Sequence, residues 1–390
     1  MRKPMQKPLE GLRIIDLTHM LSGPYGAMIL ADLGADTVKV EPPKDGENTR
    51  RLLASDPNNS IDGMGAYFFT LNRNKRSVTL DLKCQQDLDR FYRLVGVADI
   101  VISNFSPGVT KKLRIDYASL SDINPKIITC TVTGFGENGP AYQRPAFDQI
   151  AQALGGGMSI TGDSPDHAMR AGIPIGDLGG GMFAVMGILA AVNARNTTGR
   201  GQHVDISMLD CQISMLNYMA TMHSMSGDIP QPIGNSHFVH VPYNTFKTKT
   251  DLIVLALVGD KFWPALVGII DDQTLRTPRF AQGPARLAAK EFIEARITAA
   301  LAHQDADYWL QRLEQANIPC ARVNNMAQAM RDPQVVARNM IVDIAHPIEG
   351  GAKAPGNPIK LSDTNGDSYS PPPLLGAHNQ EVFREWLGDE

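Results

Sequence analysis

One carboxylate stands apart in this sequence of 390 residues. Asp177 lies in GIPIGDLGGGMFAVMGILAAVNAR, preceded by Gly176 and followed by Gly179, Gly180 and Gly181 at the mouth of an apolar, helix-like run. A carboxylate at a helix start can cap it by accepting backbone N–H groups of the first turn. It can also be kept ionised by the helix's positive end and act as a nucleophile toward an acyl group. A cap by itself does not call for three glycines; close approach of another backbone or of a large ligand does. A second run, Gly155, Gly156 and Gly157, suits either a flexible loop or a lid whose N–H groups stabilise an oxyanion. Neither run is a G-x-G-x-x-G after a strand, and there is no Walker pattern, so nicotinamide and nucleoside-triphosphate chemistry find little support.

The other reactive side chains are more scattered. Arg73-Asn74-Lys75-Arg76, with Lys83 beyond, flanks an apolar run, where it can anchor a loop through ion pairs or hold a phosphate. The nine histidines show no metal-ligand spacing. His19 follows a strand-like segment, where a satisfied structural role competes with ligand contact. Four separated cysteines (Cys84, Cys130, Cys211, Cys320) form no CxxC pair. A formal net charge of -4 gives no reason to expect nucleic acid or an anionic membrane as partner. The charged start, Met1 to Glu10, lacks the apolar stretch of a signal peptide, and no uninterrupted apolar stretch has membrane length; a cytoplasmic protein is expected.

These residues need a scaffold, and the chain reads as α/β. Strands are expected at Leu12–Asp16, Thr37–Val40, Ser77–Leu82, Ala98–Ser103, Lys126–Val132 and His203–Ile206, separated by helices that include Gln86–Val97 and one starting near Asp177. That alternation predicts right-handed crossovers and a parallel sheet, which binds ligands at the carboxyl ends of its strands. Composition shifts to Pro, Gly and Asn around 227–235, which reads as a linker. A hairpin within Tyr243–Val258 and helices to about Gln315 suggest a smaller α+β domain. The chain then returns to strand and loop, giving segments 1–225, 226–325 and 326–390.

Several separate motifs, in order, carry a resemblance to a known family: PLEGLRIID (8–16), Gly23–Pro24, LGADTVKVE (33–41), NKRSVTLDL (74–82), NFSPG (104–108), GFGENGP (134–140) and Gly176–Met208. Through nearly its whole length the chain resembles the class III CoA-transferases, with the α-methylacyl-CoA racemases as cousins. The resemblance implies a Rossmann-like large domain, a smaller domain, and two ring-shaped subunits interlocked as a homodimer. It implies that Asp177 is the nucleophile and passes through an aspartyl-CoA thioester. The positions matching the family's CoA site are His19, Leu21, Ser22, Leu80, Asp81, Leu82, Lys83, Asn104, Phe105, Ser106, Lys112, Pro145, Ala146, Phe147 and Asp148. Gly155, Gly156 and Gly157 are the oxyanion or lid candidates. Coenzyme A enters as a substrate; no tightly bound cofactor and no metal are implied.

Two departures from the formyl-CoA enzymes stand out: Pro42 replaces an arginine, and their glycine-rich loop in the small domain is absent. The racemases need a base on each face of the substrate, and the histidine of their His–Asp pair falls at Phe147, whose phenyl ring cannot move a proton. Transfer is therefore favoured over racemisation, and over a non-catalytic acyl-CoA binder, which has no need of Asp177. A small dicarboxylate such as oxalate or succinate is the expected acid, with Arg144, Arg170 or His237 as its second cationic partner.

Overall fold

A computed structural model of the chain describes residues 7–364 and 367–389, so most of the charged amino-terminal stretch lies outside it. The chain divides into two compact units, one made of Met1–Met158, Arg170–Asp228 and Gln334–Glu390, the other of Ser159–Met169 and Ile229–Pro333.

The first unit is organised by six parallel strands. In chain order its main elements are β1 (Arg13–Asp16), α1 (Ser22–Asp32), β2 (Asp36–Glu41), α2 (Ala66–Leu71), β3 (Lys75–Thr79), α3 (Gln85–Val97), β4 (Ile100–Ser103) and β5 (Ile128–Thr133). Then come α4 (Asp148–Leu154), α5 (Ile175–Thr198), β6 (His203–Ser207), α6 (Met208–Leu216) and α7 (Tyr218–Ser226). The strand order is β3-β2-β1-β4-β5-β6, with Ile14 of β1 paired to Thr37 on one side and Ile100 on the other. Ile14, Ile15, Val38, Ile100, Ile102 and Ile128 are buried on the two faces, which is why these strands read as apolar runs rather than alternating ones. The chain leaves β1 toward β2 and β3, then returns to the other side of β1 for β4. That reversal opens a crevice at the carboxyl ends of β1 and β4.

The basic cluster is structural, which corrects the phosphate-binding alternative. The Arg73 guanidinium is buried and pairs with both carboxylate oxygens of Asp32 at 3.1 and 2.7 Å. Lys75 Nζ lies 2.9 Å from Asp16, and Arg76 engages Asp36, Glu381 and Glu385. These pairs also explain why β3 starts at Lys75 and ends at Thr79 rather than covering 77–82. The basic residues are drawn into the sheet, and Leu80–Lys83 run off its carboxyl edge.

α5 is a 24-residue helix. It is long and apolar enough to cross a membrane by length and composition, where the sequence reading found no such stretch because glycines and Asn193 interrupt the apolar run. One face is packed instead. A Cβ on Gly181 would lie 2.6 Å from the Ser22 carbonyl oxygen and 3.0 Å from the Tyr25 ring, and one on Gly26 would lie 2.9 Å from Gly181 O. The glycine run thus lets α1 and α5 cross nearly backbone to backbone. Gly181→Ala is expected to force the helices apart and cost about 1–3 kcal/mol, read as a lower midpoint in urea unfolding.

The second unit pairs β7 (Tyr243–Lys247), β8 (Leu252–Ala256) and β9 (Cys320–Arg322) as an antiparallel sheet in the order β9-β8-β7. Helices α8 (Trp263–Ile270), α9 (Lys290–Leu301) and α10 (Ala306–Gln315) share a core with it through Phe246, Leu266, Ile293, Ile297, Trp309 and Leu313. After this unit the chain returns to the first. Asn379 there bonds Thr79 of β3, and the Trp386 indole donates to Asp36 at 2.8 Å.

Candidate active site

The carboxyl edge of the sheet gathers residues that are distant in sequence. A cleft of about 270 Å³ there is lined by His19, Leu80, Asp81, Leu82, Lys83 and Phe105, together with Pro42 and Glu47. Cavities that hold a whole drug-sized ligand span roughly 300–1,000 Å³, so this cleft suits one end of a long molecule. Its frame is rigid. The Asn104 side chain accepts from the His19 N–H at 2.9 Å and donates to the His19 carbonyl at 2.6 Å, clamping the ends of β1 and β4 together. The His19 ring packs on Phe105 with centroids 5.3 Å apart. Burial, then the Lys39 charge, lower the His19 pKa against the pull of Glu47 and Asp16, so the ring is neutral at pH 7. Beside it Met20 has φ +65°, a left-handed conformation seldom taken by a non-glycine residue and one met at ligand-binding loops.

Below this loop lies a buried charge cluster. Asp16 accepts from Lys75 Nζ at 2.9 Å and from the Thr18 backbone N–H at 2.8 Å, while Lys39 Nζ donates to the Thr18 carbonyl at 2.6 Å. Burial opposes ionisation of Asp16, yet Lys39, Lys75 and the Thr18 hydroxyl together hold its pKa down at about 2. Burial pushes Lys75 the other way, to about 8.

The loop then enters α1 at Ser22, whose hydroxyl is buried and has no hydrogen-bond partner among the described residues. That oxygen lies 2.6 Å from where a Cβ on Gly180 would stand, so Ser22 faces the second turn of α5. One turn earlier on α5 is Asp177, in the third helical position rather than at the cap. The cap comes from elsewhere: Asp148 Oδ1 accepts from the N–H groups of Gly176 and Asp177 at 2.8 and 3.2 Å. The expected effect of the helix's positive end on Asp177 is outweighed. Burial, then the charge of Asp148, push its pKa up to about 7.

The remaining expected residues lie on several elements. Leu21 precedes α1, and Ser106, Lys83 and Lys112 are exposed. Pro145, Ala146 and the exposed Phe147 lead into α4; Gly134 stays glycine because a Cβ there would meet Ala146 at 2.3 Å. Gly155 ends α4 as a packed turn, where a Cβ would stand 2.4 Å from the Gln212 side chain, and Gly156 takes φ +80°. His237 is not a cation. Its Nδ1 accepts from the N–H groups of Val239 and His240, and burial and His240 lower its pKa. Glu47 and Tyr67 were not legible as site residues in the sequence. Glu47 accepts from the Met20 N–H at 3.4 Å. The Tyr67 phenol has its pKa raised by burial, then by Asp177, Glu47 and Asp148, which puts it in the field of the Asp177 carboxylate. Tyr67 hides in an apolar run, AYFFTL, with no polar neighbour to mark it. Among the described residues no group of three His, Cys, Asp or Glu side chains is placed to hold a metal.

The first unit thus combines a Rossmann-ordered sheet, a cleft at its switch point and a half-buried carboxylate at the start of a glycine-rich helix. Residues 9–379 match CoA-transferase family III, and the chain belongs to that family. It is 38% identical over 388 residues to the acetyl-CoA:oxalate CoA-transferase of Acetobacter aceti, covering 98% of this chain and 97% of that one. It is 36% identical to the succinyl-CoA:mesaconate CoA-transferase of Haloarcula hispanica, covering 97% and 96%. Among solved structures, a CAIB/BAIF family protein from Brucella suis superposes with a TM-score of 0.88 at 33% identity, covering 98% of this chain and all of that one.

Proposed function

We propose that this enzyme moves CoA from an acyl-CoA to a small dicarboxylate, with Asp177 as the covalent nucleophile. The observation that carries this reading is a half-buried carboxylate with no ion-pair partner among the described residues, on the helix that also faces Ser22. The Asp177 carboxylate attacks the thioester carbonyl; the C–S bond breaks, CoA leaves as thiolate and a mixed anhydride forms. The thiolate attacks the aspartyl carbonyl, giving the aspartyl-CoA thioester and releasing the first acid as its carboxylate. The incoming acid attacks that thioester, expelling thiolate and forming a second anhydride. The thiolate then attacks the new acyl carbonyl and frees Asp177. No proton is consumed, and acyl activation survives only if water stays out.

The cleft at the carboxyl edge would take the nucleotide end of CoA, with Lys83 and Lys112 toward its phosphates; Pro42 leaves that end to apolar contact. The buried hydroxyl of Ser22 is the candidate donor to the oxyanions; the Gly155 N–H, expected in that role, is taken by the Ala151 carbonyl at 2.8 Å. Arg170, exposed and bonded to the carbonyls of Ala171 and Gly172, is the better candidate for the second carboxylate, because His237 is neutral. The dicarboxylate itself is supported by the oxalate and mesaconate enzymes among the relatives. Phe147, 69% exposed, stands where a racemase would need a proton carrier.

An interlocked homodimer belongs to the same proposal. Met182 and Met186 of α5, Ile213 of α6, and Tyr218 and Met225 of α7 are exposed, and a patch of that kind suits burial against a second copy.

The test is mass spectrometry after incubation with succinyl-, acetyl- or formyl-CoA: a hydroxylamine-sensitive CoA adduct on Asp177 is expected, whereas α-proton exchange without adduct would indicate a racemase. A pH profile adds a second check. The nucleophile must be ionised and its pKa is about 7, so kcat/KM should fall roughly tenfold per unit on the acid side of that value.

A further inference from the structure

Asp148 was expected among the CoA contacts, but both of its carboxylate oxygens are engaged inside the protein. Oδ1 accepts from Gly176 N–H and Asp177 N–H, the first turn of α5. Oδ2 accepts from the Gln152 side-chain amide at 2.7 Å. Gln152, one turn further along α4, is only 2% exposed. Its other amide atom, Oε1, accepts from the Ala171 N–H at 2.9 Å. A continuous path therefore runs from Ala171, where the chain approaches α5, through Gln152 and Asp148 to the backbone of Asp177. Gly176 is shaped to it, since a Cβ there would stand 2.9 Å from Asp148 Oδ1 and 3.1 Å from Asp148 O. The glycine before Asp177 exists to let Asp148 in.

We infer that Asp148 and Gln152 are positioning residues for Asp177: they lock the first turn of α5 and so fix where the Asp177 carboxylate points. The inference rests on Asp177 being the nucleophile. Orientation matters because a misplacement near 1 Å lowers a rate on the order of 10²-fold. Asp148 also brings a fixed negative charge to the nucleophile. The titratable groups around the first turns of α5 are Asp148 from α4, Tyr67 from α2, Tyr25 from α1, and Cys211 with Asp210 from α6. Only Asp148 acts on the Asp177 carboxyl, and it acts in the same sense as burial. A carboxylate harder to ionise is more nucleophilic once ionised.

The two residues separate by charge. Asp148→Asn keeps an oxygen for the helix N–H groups and removes the charge. It is expected to lower kcat by about 10–10²-fold with the acyl-CoA KM little changed, and to move the acid limb of the pH profile to lower pH. Gln152→Leu keeps the charge and cuts the path, so kcat should fall while the acid limb stays. A rise in KM with unchanged kcat in Asp148→Asn would make Asp148 a CoA contact and overturn the inference. Loss of thermal stability with an unmoved acid limb in Asp148→Asn, or unchanged kcat in Gln152→Leu, would also overturn it. Should Asp148→Asn fail to fold, Gln152→Leu alone decides through kcat. Failure of the nucleophile assignment is seen separately, as absence of the Asp177–CoA adduct in the unaltered enzyme.

Discussion

Asp177→Asn is expected to reduce CoA transfer by about 10⁴-fold or more, with no CoA adduct detectable by mass spectrometry. An amide in place of the carboxylate cannot open a thioester to an anhydride. The nearest carboxylate, Asp148, has both oxygens bonded to Gly176, Asp177 and Gln152, so it is not free to substitute. The same variant should not be less stable. The Asp177 pKa is raised from 3.8 to about 7 on folding, so between those values the folded chain holds more proton than the unfolded one, and stability falls as pH rises. Asp177→Asn removes that burden. Its thermal midpoint should equal or exceed that of the unaltered protein at pH 8, with the gap closing toward pH 4. Activity lost at undiminished stability is what a residue kept for chemistry produces. Residual transfer at full rate in Asp177→Asn would sink the covalent mechanism.

Asp16→Ala should be the most damaging single change to the fold. Lys39 and Lys75 are wholly or almost wholly buried, at 0% and 2% exposure, and Asp16 is the carboxylate they share, at 3.8 and 2.9 Å. Removing one partner of a buried pair costs about 3–5 kcal/mol, because the remaining charge is left without compensation; here two charges lose it. A fall in midpoint on the order of 10 °C is expected. The pH sign is opposite to that of Asp177. The Asp16 pKa is depressed to about 2, so its contribution is present above the unfolded value near 4 and lost as pH falls through 2. The difference between Asp16→Ala and the unaltered protein should therefore shrink over that acid range. A second variant, Lys75→Met, tests the assignment: combined with Asp16→Ala it should cost less than the sum of the two single changes. The functional consequence follows from position, since Thr18 is the second residue beyond β1, immediately before His19, and the cluster holds its backbone N–H and carbonyl.

The division between sequence and tertiary structure runs through particular residues. Apolar strands separated by helices were enough for the parallel sheet, because strands buried on both faces leave a continuous apolar run, as at Ile100–Ser103. The ordered motifs were enough for CoA-transferase family III. Chain order alone indicated the carboxyl edge as the place for His19, since ligand loops follow strands in such a sheet; Asn104 and residues 80–83 were expected as ligand contacts only from the family resemblance. What the sequence could not decide is partnership. Arg73, Lys75 and Arg76 look the same whether they meet phosphate or carboxylate, and only the fold brings Asp32, Asp16 and Asp36 to them. The glycines after Asp177 signalled a close approach, and the tertiary structure made the approaching group α1. Asp177 resembled a helix cap, but Asp148, 29 residues away, supplies the cap and its charge. Ion pairing, burial and pKa depend on distances between segments remote in the chain, and those distances exist only once the sheet has folded.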